Sequence, residues 1–397
     1  MKFDAAGAQA LMEITYRPEL VFVRGSGSWL EDHAGKRYLD MIQGWAVNAL
    51  GHSPKVLVEA ISAQAGKLIN PSPAFYNEPA MQLAKRITDH SCFDRVFFAN
   101  SGAEANEGAI KLARKWGQLH RGGAHKIITF EHSFHGRTLA TMSASGKAGW
   151  DSIFAPQVDG FHKAKLNDID SVRRLVDKDT VAIMLEPVQG EGGVIPASFE
   201  FMQQLRALCD LENLLLIVDE IQTGMGRTGI LFAYQHCNIE PDIMTLGKGI
   251  GGGVPLSALC AKEEVSVFQH GDQGGTYNGN PLVAAAGVAV FDTLLQPGFF
   301  DEVKARSVAL SEGLRHLSDK WGLAGERGLG LLRVLKLDQE DAAAIVETAR
   351  NLEPHGLLLN AARPNLLRFM PALNLSQEDL QQTLALLDEV LAQHRGG

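Results

Sequence analysis

LLLIVDEIQTGMGRTG (214–229) and, a short way downstream, DIMTLGKGIGGGVP (242–255) decide how this chain folds. In each, an apolar run stops abruptly at chemistry: LLLIV (214–218) at Asp219-Glu220, and IMTL (243–246) at Gly247-Lys248-Gly249. Three more runs, RVFFA (95–99), KIITF (126–130) and VAIML (181–185), have the same character. None alternates apolar with polar, so each is apolar on both faces, as in a parallel sheet covered by helices on both sides. Between RVFFA and KIITF, Ala109, Leu112, Ala113 and Trp116 fall at i, i+3, i+4 and i+7, one face of a helix. The reading is a large α/β domain over 53–290 with a mostly parallel sheet. After Pro297-Gly298 the pattern turns to long amphipathic helices with few strand signals, a smaller α+β domain over 291–397 that residues 1–52 are expected to join. Its last helix starts at a Ser376/Asp379 cap, buries Leu380, Leu384, Leu387 and Leu391, and ends near His394-Arg395-Gly396.

Composition narrows the function. The 397 residues include 37 basic and 46 acidic side chains, a net charge of −9, opposite in sign to a polyanion binder. Cys92, Cys209, Cys237 and Cys260 form no CxxC pair, which favours a reducing compartment over a zinc knuckle or disulfide framework. Lys2 is followed by Asp4 and Glu13 with no apolar signal core, and no apolar run is long enough to cross a bilayer. The expectation is a cytoplasmic protein. Glycine is abundant, 41 of 397, and 12 of these lie between Gly224 and Gly279, around Lys248. Bare backbone is needed there for close approach to something.

In an open parallel sheet, ligands sit beyond the carboxyl ends of the strands. Asp219-Glu220 lies there, either as a hydrogen-bonded structural acid or as a functional one with a cationic partner. Lys248, on a glycine-rich turn at the same edge, is a solvated loop charge or a desolvated amine primed as nucleophile. Gly247, Gly249 and Gly252 match the dinucleotide pattern GxGxxG, but the following GVPLSALCA reads as extended where a helix is required. Asn100-Ser101-Gly102-Ala103 precedes the amphipathic helix, placing small residues and free amides where a phosphate binds. A phosphate cradle, a strand-end acid and a strand-end lysine are together what pyridoxal phosphate needs. P-loop, GxSxG and HExxH patterns are absent, and the two histidines of EHSFH (131–135) lack a third ligand, so no metal is expected.

The segments NSGAEANEGAIKLARK (100–115), SFHGRT (133–138), EPVQGEGG (186–193), LLLIVDEIQTGMGRTG (214–229), DIMTLGKGIGGGVP (242–255), GGTYNGNP (274–281) and LLLNAARPNLLRFMPAL (357–373) closely resemble the class III, ω-amino-acid aminotransferases. The resemblance covers nearly the whole chain and implies a pyridoxal-phosphate transferase of fold type I, a homodimer with shared active sites. It implies a Schiff base on Lys248, which then shuttles protons, with Asp219 on the pyridine nitrogen, Gln222 on the ring hydroxyl and Phe134 stacked on the ring. Ser101, Gly102 and Ala103 would hold the phosphate, with Thr276 of the partner subunit. Arg137 would bind a substrate carboxylate, and Glu191 with Arg368 would form a switchable pair serving both substrates. Glu186 is read as structural or as supporting a residue that touches the ligand. The implied reaction moves the side-chain amino group of N2-acetylornithine to 2-oxoglutarate, in arginine biosynthesis. Succinylornithine, succinyl-diaminopimelate, ornithine and 4-aminobutyrate are the alternative donors within the class. Two departures stand out: GHSP (51–54), where the family has the longer GHxHP, and LLRVLKL (331–337), where an acidic strand is usual.

Overall fold

A computed structural model describes residues 4–395. Lys2 and Gly396, used above in reading the two termini, lie outside the described residues.

The central sheet has seven strands, in the order Arg95–Ala99, Ser257–Ala261, Ile243–Leu246, Leu215–Asp219, Thr180–Leu185, Lys126–Phe130, Phe161–Ala164. All run parallel except Ser257–Ala261, which is antiparallel to both its neighbours. Each of the five apolar runs is a strand. Successive residues feed opposite cores: Ile128, Leu216 and Val218 pack into one apolar cluster, while Ile127, Leu215 and Ile217 pack into the other. All six are buried, and each contributes roughly 1.5–3 kcal/mol by leaving water. Helix Gly102–His120 covers one face through Ala109, Leu112 and Ala113. Phe201 and Leu205 of helix Phe199–Glu212, with Phe291 and Leu294 of helix Pro281–Leu294, cover the other.

The C-terminal region is α+β as expected, and among the described residues it holds five strands where the sequence showed few strand signals. Four form an antiparallel sheet in the order Glu326–Leu329, Leu332–Lys336, Leu366–Phe369, Asn360–Arg363. The fifth, His355–Leu358, pairs in parallel with Arg37–Asp40 of the N-terminal meander. These strands are four or five residues long, too short for periodicity to reveal. The unusual LLRVLKL segment is itself one of them, and Val334 stands opposite Arg368. The shortened GHSP turn is tied down by His52, whose ring bonds the Asp40 carboxylate at 2.8 Å. The final helix spans Gln377–Arg395, with the Asp379 N–H donating to Ser376 Oγ, and buries Leu380, Leu387 and Leu391, while Leu384 is half-buried.

Candidate active site

Segments at the ends of five strands converge on one cavity of about 300 Å³. Leu215–Asp219 delivers Asp219 and, just beyond, Ile221 and Gln222; Ile243–Leu246 delivers Lys248; Arg95–Ala99 leads to Gly102 and Ala103. Phe134, His135, Gly136 and Arg137 come from the loop after Lys126–Phe130, and Glu186 and Glu191 from the segment after Thr180–Leu185. The cavity therefore lies beyond the carboxyl ends of the parallel strands.

The two adjacent acids have separate fates. Glu220 is the structural one: it accepts from the N–H groups of Ala233 and Tyr234 and from the Thr223 hydroxyl, at 2.8–2.9 Å. Burial pushes its carboxyl up to about 7 despite those donors. Asp219 faces the cavity and is 3% exposed. Its Oδ2 accepts from His135 Nδ1 and Asn106 Nδ2, both at 2.8 Å, and its Oδ1 from the Ile221 N–H at 3.1 Å. Asn106 is fixed in turn by the Thr245 hydroxyl, which donates to its Oδ1 at 2.7 Å. This buried network holds one carboxylate in one orientation. Sequence reasoning missed His135 and Asn106. Asn106 had a signal, being a polar residue in line with Ala109 and Ala113 on the apolar stripe.

Lys248 sits on a tight turn with φ +46°, a left-handed conformation uncommon outside glycine. Among the described residues no carboxylate lies within 4.0 Å of its amine. Burial holds the amine below the ordinary lysine value. Glu191 pulls it back up, Arg368 pushes it further down, and Asp219 and Glu186 oppose that. Such a desolvated amine spends more of its time neutral and nucleophilic. Glu186 lines the cavity and supports Phe134, accepting from its N–H at 2.9 Å; burial together with the nearby Asp219 raises its pKa well above the ordinary value.

At the opposite end, Ser101 caps helix Gly102–His120 in a reciprocal capping box with Glu104. Its hydroxyl is thereby engaged, and it does not line the cavity. The amides of Gly102 and Ala103, in the first helical turn, do line it and lack an intrahelical acceptor. Together with the helix dipole they make an anion site. Gln222 Oε1 is buried in the cavity without a hydrogen-bond partner among the described residues, as is His135 Nε2. Gly190 makes the room for this amide, since a Cβ there would fall 1.4 Å from Gln222 Oε1. An anion-binding helix start, an orphaned amide oxygen, a fixed carboxylate and a desolvated lysine in one cavity fit pyridoxal phosphate.

Arg137 is exposed at the cavity edge, its guanidinium 5.5 Å from the Trp150 ring and 5.9 Å from that of Phe134, with no carboxylate within 4.0 Å among the described residues. Across the site, Arg368 Nη1 meets Glu191 Oε1 at 2.7 Å, and Arg368 Nε donates to Asn360 Oδ1 at 2.9 Å. Arg368 is 1% exposed, the Glu191 side chain 37%. Burial raises the Glu191 pKa, but the charge and hydrogen bonding of Arg368 outweigh it and keep the carboxyl below its ordinary value. The structure thus gathers Gly102, Ala103, Phe134, Arg137, Glu191, Asp219, Gln222 and Lys248 on one cavity, with Arg368 behind Glu191. Thr276 is exposed elsewhere, its carbonyl accepting from Asn70 Nδ2 at 3.4 Å.

The chain is 69% identical to "Acetylornithine aminotransferase 2" of Bordetella pertussis over 392 residues, 99% of each chain. Among solved structures it is similar to N-acetylornithine aminotransferase from Stenotrophomonas maltophilia K279a, at 37% identity and TM-score 0.83 over 96% of this chain and 97% of the other. It is similar also to the ornithine aminotransferase of Toxoplasma gondii, in a structure described as having partial occupancy of PLP at the active site, at 30% identity and TM-score 0.91 over 99% and 95%. The Aminotransferase class-III family model matches residues 12–391, and the chain belongs to that family.

Proposed function

We propose that this class III aminotransferase, which uses pyridoxal phosphate, transfers the side-chain amino group of N2-acetylornithine to 2-oxoglutarate, giving N-acetylglutamate 5-semialdehyde and glutamate in arginine biosynthesis. The observation that carries the substrate assignment is the Glu191–Arg368 pair facing a free Arg137. When bound, the cofactor supplies an aldehyde that takes up the amino group and a protonated ring that absorbs the electrons of a broken C–H bond. Gly102 and Ala103 would donate amide hydrogens to its phosphate, Phe134 would lie against the ring, Gln222 Oε1 would accept from the ring hydroxyl, and Asp219 would hold the proton at the ring nitrogen. Lys248 Nζ takes and returns the proton at the substrate carbon.

Arg137 binds a substrate carboxylate through its guanidinium fork. With Glu191 on Arg368, the far wall carries no net charge and admits the aminoalkyl substrate. With Glu191 turned away, Arg368 takes the second carboxylate of 2-oxoglutarate. One site then serves both halves of a ping-pong cycle.

The proposal extends to assembly and place. Leu68, Ile69, Phe75, Tyr76 and Tyr277 are exposed apolar side chains on the segments joined by the Asn70–Thr276 contact, the kind of surface that marks an interaction site. A second copy covers it and receives Thr276 at its phosphate site, in a cytoplasmic homodimer. Within each subunit, residues 1–52 and 291–397 form the small domain and 53–290 the large one, consistent with the pairing of Arg37–Asp40 with His355–Leu358.

The test offers purified holoenzyme each of the candidate donors with 2-oxoglutarate and measures glutamate. N2-acetylornithine is expected to give the highest kcat/KM. Preference for succinylornithine, succinyl-diaminopimelate, ornithine or 4-aminobutyrate would overturn the assignment of the donor while leaving the reaction class intact.

A further inference from the structure

Glu191 stands in the loop Gly190-Glu191-Gly192-Gly193-Val194, whose base is held in an uncommon way. Val194 has φ +56°, a strained left-handed conformation for a β-branched residue, and its side chain is fully buried against Val188, Leu332, Val334, Leu366 and Met370. Gly193, at φ +111°, lies so close to the next element that a Cβ would sit 2.8 Å from Leu366 Cδ1. Backbone in this state persists only where its surroundings over-determine it.

The side chain that does so is Arg327, on strand Glu326–Leu329 of the C-terminal sheet. Its Nη2 donates to the Gly193 carbonyl at 2.6 Å, and its Nε to the Gly193 and Val194 carbonyls at 3.1 and 3.2 Å. Among the described residues no carboxylate lies within 4.0 Å of Arg327. Its charge is therefore spent on the loop backbone. The same antiparallel sheet carries Arg368 on Leu366–Phe369, two strands away. One sheet thus fixes both the base on which Glu191 pivots and the guanidinium it meets.

We propose that Arg327 is a positioning residue that clamps the base of the Glu191 loop, confines the swing of Glu191 to residues 190–192, and so sets the balance between the closed and open Glu191–Arg368 pair. It tunes selection between an amino donor with a single carboxylate and a dicarboxylate acceptor. This rests on the two-substrate reading above. Without the clamp, the ordered closed state loses its fixed base and the open state gains population.

The experiment compares wild type, Arg327→Met and Arg327→Lys as holoenzymes. KM and kcat are measured for the amino donor that wild type accepts best, and Kd is measured by calorimetry for glutarate, a dicarboxylate that cannot react. Loss of a charge-assisted pair of hydrogen bonds predicts a donor KM raised about tenfold in Arg327→Met. Glutarate is expected to bind at least as tightly as to wild type. Arg327→Lys keeps the charge but not the fork, and shifts the ratio in the same direction by less. A ratio of donor KM to glutarate Kd equal to that of wild type in both variants would overturn the proposal. Failure of both variants to fold would overturn it too, in favour of a purely structural role. If wild type transfers no amino group to 2-oxoglutarate, it is the underlying reading that fails.

Discussion

Replacing Asp219 by Asn changes one atom in the most tightly specified position of the site. The carboxylate accepts three hydrogen bonds, two at Oδ2 and one at Oδ1. An amide has only one acceptor oxygen, so whichever way it is turned its NH2 faces another donor, at a cost of about 1–3 kcal/mol. The larger loss is of charge. A carboxylate about 3 Å from a protonated ring nitrogen, at an effective dielectric constant of about 20, stabilises that proton by roughly 5 kcal/mol. Converted at about 1.4 kcal/mol per tenfold, this is roughly 10³–10⁴ in rate if the protonated ring is required at the slow step. The assay is kcat for glutamate formation by Asp219→Asn at saturating pyridoxal phosphate, with thermal unfolding as a check on the fold. A folded variant that binds cofactor and keeps kcat within tenfold of wild type would refute the role given to Asp219.

Two further predictions follow from buried geometry. In Gly190→Ala the new methyl occupies the place of Gln222 Oε1, so the flexible amide must swing away; the expected result is roughly tenfold weaker binding of pyridoxal phosphate with little change in stability, and unchanged binding in a dialysis titration counts against the role of Gln222. Glu220 has a folded pKa raised to about 7 from an ordinary 4.5, so the stability it contributes is present below 4.5 and is lost as pH rises through 7. Between pH 4.5 and 8 the unfolding free energy of wild type relative to Glu220→Gln should fall by up to about 3 kcal/mol, and a difference flat with pH in denaturant titrations would contradict the raised pKa.

The parts legible in the sequence are those where one physical demand dominates. LLLIV and IMTL show as buried strands because nothing polar interrupts them, and Asp219 and Lys248 stand out because charge at the end of such a strand is costly without a purpose. Strand Phe161–Ala164 escaped because it lies at the sheet edge and carries His162 and Lys163, the latter half-buried and satisfied by Thr129 Oγ1 and the carbonyls of Ser143 and Ala144. SALCA read as extended, yet its antiparallel direction depends on the chain turning at 247–256, which composition does not encode. The C-terminal strands escaped because four residues cannot establish a period. Within the site, His135 and Asn106 act through Asp219 and not on a ligand, and long-range pairing of that kind leaves little local pattern.

Residues joined only by the fold were legible through resemblance instead. Glu191 and Arg368 are far apart in sequence and meet because Leu332–Lys336 holds the Arg368 strand in register beside the loop after Thr180–Leu185. In the function proposed here that contact lets two substrates share one site, and Arg327, bonded to the loop backbone from the same sheet, links its two halves.

The central claim, that Lys248 drives amino-group transfer from N2-acetylornithine, is tested most directly by a single turnover. Holoenzyme is mixed with N2-acetylornithine alone, the semialdehyde released per active site is counted, and 2-oxoglutarate is then added to count glutamate. Wild type is predicted to release about one equivalent of each in turn, and Lys248→Ala with bound cofactor to release neither on the same timescale. Equal release by Lys248→Ala, or no semialdehyde from wild type, would contradict the account.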